Sequence, residues 1–228
     1  MRRAGDWDAA DLRFAEGIAI YEGIGAINPN LAGDLANHAT LRNLRGDAAG
    51  ALASADRALS ILARLDGANP VAVANARFAR GGALRDLGRF DEAAQALEQA
   101  AADFRASHPD PGRPARVGIA IALNELARGR PDAAAAALAP ALTFGRETSR
   151  NALLAEALQA QSRIARATGD DATATAAARE AATLLATRLP ERHPLRRRAE
   201  ALADEITTPS SAATPSVAPG PAEDPPRN

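Results

Sequence analysis

The side chains in this sequence to weigh for chemistry are its three histidines, Ser54, Ser149 and Ser162 among its serines, and a few neighbouring carboxylates. His38, His108 and His193 carry the imidazole that general acid–base catalysis or metal ligation would require. No His-x-x-x-His or cysteine spacing accompanies them, so no metal-ligand set forms, and two of them sit in His-Pro links. All three read as structural linker residues. Asp170-Asp171, Asp91-Glu92 and Asp6 with Asp8 have the look of acid/base dyads, but each falls where a helix should begin. Negative charge there offsets the helix dipole, so the pairs read as capping groups. Ser54, Ser149 and Ser162 lack a Gly-x-Ser-x-Gly context and a paired histidine. The sequence contains no cysteine, which removes thiolate and disulfide chemistry. It also contains no lysine, which removes a phosphate-cradling loop lysine, a Schiff base and a kinase lysine. The expectation is a chain that is not an enzyme, with no catalytic residues, no cofactor and no metal.

The elements that carry these residues follow a period. Gly5, Gly46, Gly88, Gly129 and Gly169 recur at intervals of 40 to 42 residues. Five positions after each comes alanine: Ala10, Ala51, Ala93, Ala134 and Ala174. Twelve positions after each comes Gly17, Ala58, Ala100, Ala141 or Ala181. Small residues at fixed offsets within such a period mark a solenoid of stacked units, whose faces are buried only against neighbours. Composition agrees, because only 3% of the 228 residues are aromatic and alanine supplies most of the apolar content. A net charge of −1 gives no reason to expect nucleic acid or an anionic membrane as partner. Arg2 and Arg3 are not followed by an apolar run, so the start does not read as a signal peptide, and no stretch approaches a membrane span.

Each glycine is expected at a turn between two helices, where the left-handed backbone ends one helix and a following aspartate caps the next. Asn28-Pro29, Asn69-Pro70, His108-Pro109 and His193-Pro194 each precede a new helix, and Ser107–Pro114 reads as a longer loop. The expected map has a truncated N-terminal half-repeat over 1–30, with a second-type helix over about 6–24. Helix pairs follow over about 31–66, 71–106, 114–146 and 150–188. A capping helix covers 194–206, with Leu195, Ala199 and Leu202 on one face and the arginines 196–198 on a solvated side. A Pro/Ser/Ala-rich tail over 207–228 reads as disordered.

These units resemble tetratricopeptide repeats, specifically the longer kinesin-light-chain type of about 42 residues. The segment Gly46-Asp47-Ala48-Ala49-Gly50-Ala51, continuing through Arg57-Ala58-Leu59 to Asn69-Pro70, carries the likeness best. Gly88-Arg89-Phe90-Asp91-Glu92-Ala93 and Gly5-Asp6-Trp7-Asp8-Ala9-Ala10 are also similar to the family pattern, with Trp7 at the packing position of Phe90. The resemblance implies an all-α, right-handed superhelical solenoid of antiparallel helix pairs. Two departures stand out. Ala133 through Ala137 form a run that should pack loosely. The first unit lacks its leading helix, leaving Leu12, Phe14, Ile18 and Ile20 on an exposed face that reads as truncation and makes self-association an expectation.

The resemblance also implies a function. The first helix of each pair would form a concave wall, and family register places Asn37, Thr40, Asn43, Asn75, Phe78, Arg85, Arg116, Gln159, Arg163 and Arg166 near it. Amides can pair with the backbone of an extended peptide, and guanidiniums can fork onto carboxylates. The expected role is a non-enzymatic protein–protein interaction scaffold in a bacterial cytoplasm, holding a protein or peptide segment of acidic character. The alternative is the regulatory arm of a larger bacterial serine/threonine kinase, which the array also resembles, although no kinase motif occurs in the sequence.

Overall fold

In the computed structural model the described backbone comprises residues 2–24, 27–107, 110–191 and 193–207, with side chains described from residue 9 onward, except at 194, 195 and 207. The side chains of Asp6, Trp7, Asp8 and Leu195, the His108-Pro109 link and the expected tail beyond 207 lie outside the described residues. Among the described residues there are ten α-helices and no strand. They are α1 (Arg2–Gly23), α2 (Pro29–Arg45), α3 (Ala48–Leu62), α4 (Pro70–Asp86), α5 (Phe90–Ala106), α6 (Gly112–Ala127), α7 (Pro131–Glu147), α8 (Asn151–Ala167), α9 (Asp171–Ala186) and α10 (Pro194–Thr207).

The turns follow from backbone chemistry. Gly46 adopts φ +83°, and the chain closes α2 by donating Gly46 N–H to Asn43 O at 3.1 Å and Asp47 N–H to Arg42 O at 2.9 Å. A β-carbon is strained in that left-handed conformation, so glycine recurs with the same φ sign at 88, 129 and 169. Gly5 departs from the expectation: it lies inside α1 rather than at a turn. Aspartate caps only two of the four turns. Asp47 accepts from Gly50 N at 2.9 Å and Asp170 from Thr173 N at 3.0 Å. After Gly88 and Gly129 the cap positions are Arg89 and Arg130, without a side-chain bond, and Asp91 and Asp132 stand two residues further on, inside the first turn. Pro29 and Pro70 open α2 and α4, where a missing N–H costs nothing, and Asn28 and Asn69 cap the same helices through their side chains.

The repeating small residues sit at the helix crossings. Ala51, Ala93, Ala134 and Ala174 are fully buried, as are Ala58, Ala100, Ala141 and Ala181. Their equivalents in α1, Ala10 and Gly17, are only half-buried, and α1 packs mainly on α2, with Glu22 reaching Arg57 of α3. Consecutive helices pack in sequence, and the first helices of the pairs also touch in series: α2 on α4, α4 on α6, α6 on α8, with α10 reaching α8. The backbones of the second helices α3, α5, α7 and α9 stay farther apart, linked through side chains such as Arg146 to Glu180 at 3.6 Å and Leu52 against the cluster that holds Ala93. Contact along one side and separation along the other curves the array, with α2, α4, α6 and α8 on the inner wall.

Two expectations about packing are corrected. The alanine-rich α7 is not loose, since Ala134, Leu138 and Ala141 are at most 2% exposed and pack on Ile119, Leu153 and Ile164. The first unit's apolar face is smaller than expected. Ile18 is buried against Leu31 and Leu35, and Phe14 stacks on His38, leaving Leu12 and Ile20 exposed. One feature of α7 works against its stability: Pro140 lies inside the helix, on an exposed position. Proline removes the hydrogen bond to the carbonyl one turn back and crowds it. Pro140→Ala should raise stability by about 1–3 kcal/mol, read as a higher urea midpoint at unchanged slope.

Candidate functional site: a concave wall with two cavities

Among the described residues, two separate concavities lie along the inner wall. The larger has a volume of about 830 Å³ and runs from Asn37 and Thr40 of α2 past Asn75 and Phe78 of α4 and Arg113 and Arg116 of α6. It continues to Ala152 and Leu153 of α8 and to Leu185, Arg188 and Leu189 at the end of α9. The smaller, of about 490 Å³, is lined by Asn43, Arg85, Phe90, Leu126, Arg163 and Arg198, among others. Of the residues placed on the wall by register, Asn37, Thr40, Asn75, Phe78 and Arg116 line the first cavity, and Asn43, Arg85 and Arg163 line the second. Gln159 is buried in α8, and Arg166 turns to Glu205 of α10 at 2.9 Å.

Most of these polar groups already have partners, which sequence alone did not reveal. Asn43 donates to Ala79 O at 2.8 Å, and the buried Asn124 donates to Phe90 O at 3.0 Å. Arg113 donates to Asn75 Oδ1 at 2.7 Å, Arg116 pairs with Glu156 at 3.0 Å, and Arg150 pairs with Asp110 at 2.6 Å. The last three contacts join residues 38 to 40 positions apart, so they tie one unit to the next. Such exposed pairs contribute little stability and are open to exchange with an incoming carboxylate. The charged lining of the large cavity consists of Arg113, Arg116, Arg150 and Arg188 against Asp110, which leaves it electropositive. Arg113 and Arg150 also lie over the rings of Phe104 and Phe144, at 5.7 and 5.5 Å.

The small cavity is electrostatically tense. Arg85 is paired with its neighbour Asp86 at 2.7 Å. Arg163 and Arg198 make no ion pair among the described residues. Burial, then the nearby Arg198 and Arg85 guanidiniums, pull Arg163 below the ordinary arginine pKa, with Glu205 and Asp86 only partly offsetting them. The run of arginines at 196–198 therefore does not form one solvated face. Arg196 donates to Leu189 O at 3.1 Å and pairs with Glu200, Arg197 donates to Glu191 O at 3.0 Å, and Arg198 faces the cavity.

The residues first weighed for catalysis have structural roles. His38 is not a linker but a buried residue of α2, donating from Nε2 to Asp11 Oδ1 at 2.7 Å. Ser162 donates to Ala174 O at 2.8 Å, Ser54 accepts from Arg42 at 3.2 Å, and Ser149 occupies the α7–α8 turn at φ 53°. Asp91 pairs with Arg128, and Glu92 with Arg89 at 2.7 Å. The Asp11–His38 contact makes the seating of α1 acid-sensitive. The hydrogen bond from His38 holds the Asp11 carboxyl below its ordinary 3.8 against the opposing effect of burial, with further attraction from His38, Arg45 and Arg42. A lowered carboxyl pKa stabilises the fold above the ordinary value and loses that contribution as pH falls through the lowered one. Protection of the α1 amides against hydrogen exchange should therefore drop as pH falls below the ordinary carboxyl value of 3.8 toward the lowered one, and Asp11→Asn should flatten that dependence.

The array of antiparallel helix pairs with a concave first-helix wall is the fold of TPR-like solenoids. The chain is similar to BtubC (BKLC) from P. vanneervenii, at 15% identity and a TM-score of 0.63, over 97% of each chain. It is similar to the nearly identical TPR-like repeats of a Podosopora anserina protein assigned as a kinesin light chain, at 18% identity and a TM-score of 0.56, over 78% of this chain and 86% of that one. The apo form of RapI matches at 13% identity and a TM-score of 0.56, over 84% of this chain and 52% of that one. No protein-family model and no curated protein sequence matches the chain. Among the described residues, no helix is long and apolar enough to cross a membrane.

Proposed function

We propose that this chain is a non-enzymatic protein–protein interaction scaffold that holds an extended, acidic segment of a partner along its larger concavity. The observation that carries this reading is the lining of that concavity. Four arginines stand there, two of them paired with Asp110 and Glu156 and two without a carboxylate partner among the described residues, on a wall that also presents amides and the Phe78 ring. Carboxylates of the segment would replace Glu156 and Asp110 on Arg116 and Arg150, exchanging one exposed ion pair for another at small cost. Asn37 supplies an exposed amide for the segment's backbone, and Phe78, half-buried against the cluster that contains Phe104 and Val117, offers an apolar anchor. A peptide-display selection on the full chain should enrich acidic sequences. Selection of neutral or basic peptides, or of acidic peptides that bind a variant with Arg116 and Arg150 both changed to glutamine equally well, would remove the reading.

A further inference from the structure

We propose that the smaller concavity is a binding site for a phosphate monoester with an apolar body, formed by Arg85, Arg163 and Arg198. Three different helices, α4, α8 and α10, bring these guanidiniums to one cavity of about 490 Å³, a size suited to a small ligand. Of the carboxylates nearby, Asp86 lines the same cavity and neutralises Arg85 alone. Asp86 is engaged by Arg85 and Glu205 by Arg166, which leaves Arg163 and Arg198 without an ion pair among the described residues. Like charges held together in a partly desolvated site repel one another, and no fold gains stability from that arrangement alone. A dianion placed among them reverses the sign of the interaction, and guanidinium forks match the oxygens of a phosphate group.

The rest of the lining selects the ligand's other end. Leu44, Phe90, Leu123, Leu126 and Ala127 form an apolar wall beside the arginines. A free phosphate would leave that wall in water, whereas a monoester of an aromatic or aliphatic alcohol would cover it. Arg198 comes from α10 and Arg85 from α4, so an occupied site would also pin the last helix across the inner wall.

Phenyl phosphate is the probe, titrated calorimetrically into the full chain at fixed ionic strength. Saturable binding is expected, with affinity lowered roughly tenfold or more by Arg163→Gln and by Arg198→Gln, and unchanged by Arg179→Gln on the exposed face of α9. Arg198 is exposed, so its variant reports even if Arg163→Gln does not fold. Inorganic phosphate should bind more weakly, and phenyl phosphate should slow hydrogen exchange in α10. No saturable binding, or an affinity indifferent to Arg198→Gln, would overturn the site. Equal affinity for inorganic phosphate would overturn the monoester assignment. Acidic-peptide binding measured on Arg198→Gln should match wild type, so loss of the phosphate site leaves the reading of the larger concavity standing.

Discussion

Leu97→Ala should destabilise the protein by about 2–5 kcal/mol, and adding Gly81→Ala should recover part of that loss. Leu97 of α5 is fully buried and packs with Ala74, Phe104 and Val117, so its truncation leaves a cavity between α4, α5 and α6. Gly81 of α4 faces it so closely that a methyl there would come within 2.6 Å of Leu97 Cγ. In the wild-type background Gly81→Ala is therefore an overpacking change, costing about 1–3 kcal/mol despite alanine's better helix propensity. In the Leu97→Ala background the clash is gone, the added methyl fills part of the cavity, and the propensity gain remains. The two changes should thus be strongly non-additive in a urea-denaturation cycle. Additive costs would mean that α4 and α5 do not cross at this point.

The second large effect is functional. Phe78→Ala should weaken an acidic peptide from the display selection by roughly tenfold or more, because buried aromatic anchors carry a disproportionate share of interface energy. Arg116→Gln should also weaken it and should reduce the salt dependence of the association rate, since it removes one of the charges that steer the peptide. Asn124→Asp is not an informative comparison, because Asn124 is buried and holds Phe90 O. The appropriate control is an exposed position on the outer helices, such as Glu98→Gln in α5. Equal peptide affinity for Phe78→Ala and wild type would place the peptide elsewhere.

The repeat was legible because its signals are local. A glycine at φ +83°, an aspartate cap and an alanine at each crossing act through their immediate neighbours, so a period near 41 residues exposes them in the sequence. The same local logic explains where it failed. Gly5 matches the period yet lies inside α1, so spacing alone did not mark a turn there. His38 resembles the other histidines in type, yet its role depends on Asp11 and Phe14, 27 and 24 positions earlier. The wall residues were only partly legible. Register along a helix identifies Asn75 and Arg116 as inward-facing, but not that Arg113 and Glu156 engage them. Nor does it divide the wall into two cavities or turn Arg198 away from Arg196 and Arg197. Those outcomes depend on how successive units are rotated, which is set by packing between helices distant in sequence.

The central claim is that a partner segment lies on the first-helix wall. Its most direct test is site-specific photo-crosslinking to an enriched acidic peptide. Photoreactive residues would be placed at Asn37 and Thr40 on the inner wall, and at Glu98 and Ala135 on the exposed faces of α5 and α7. Crosslinks confined to Asn37 and Thr40 are the predicted result. Crosslinks from Glu98 or Ala135 that equal or exceed them would contradict it.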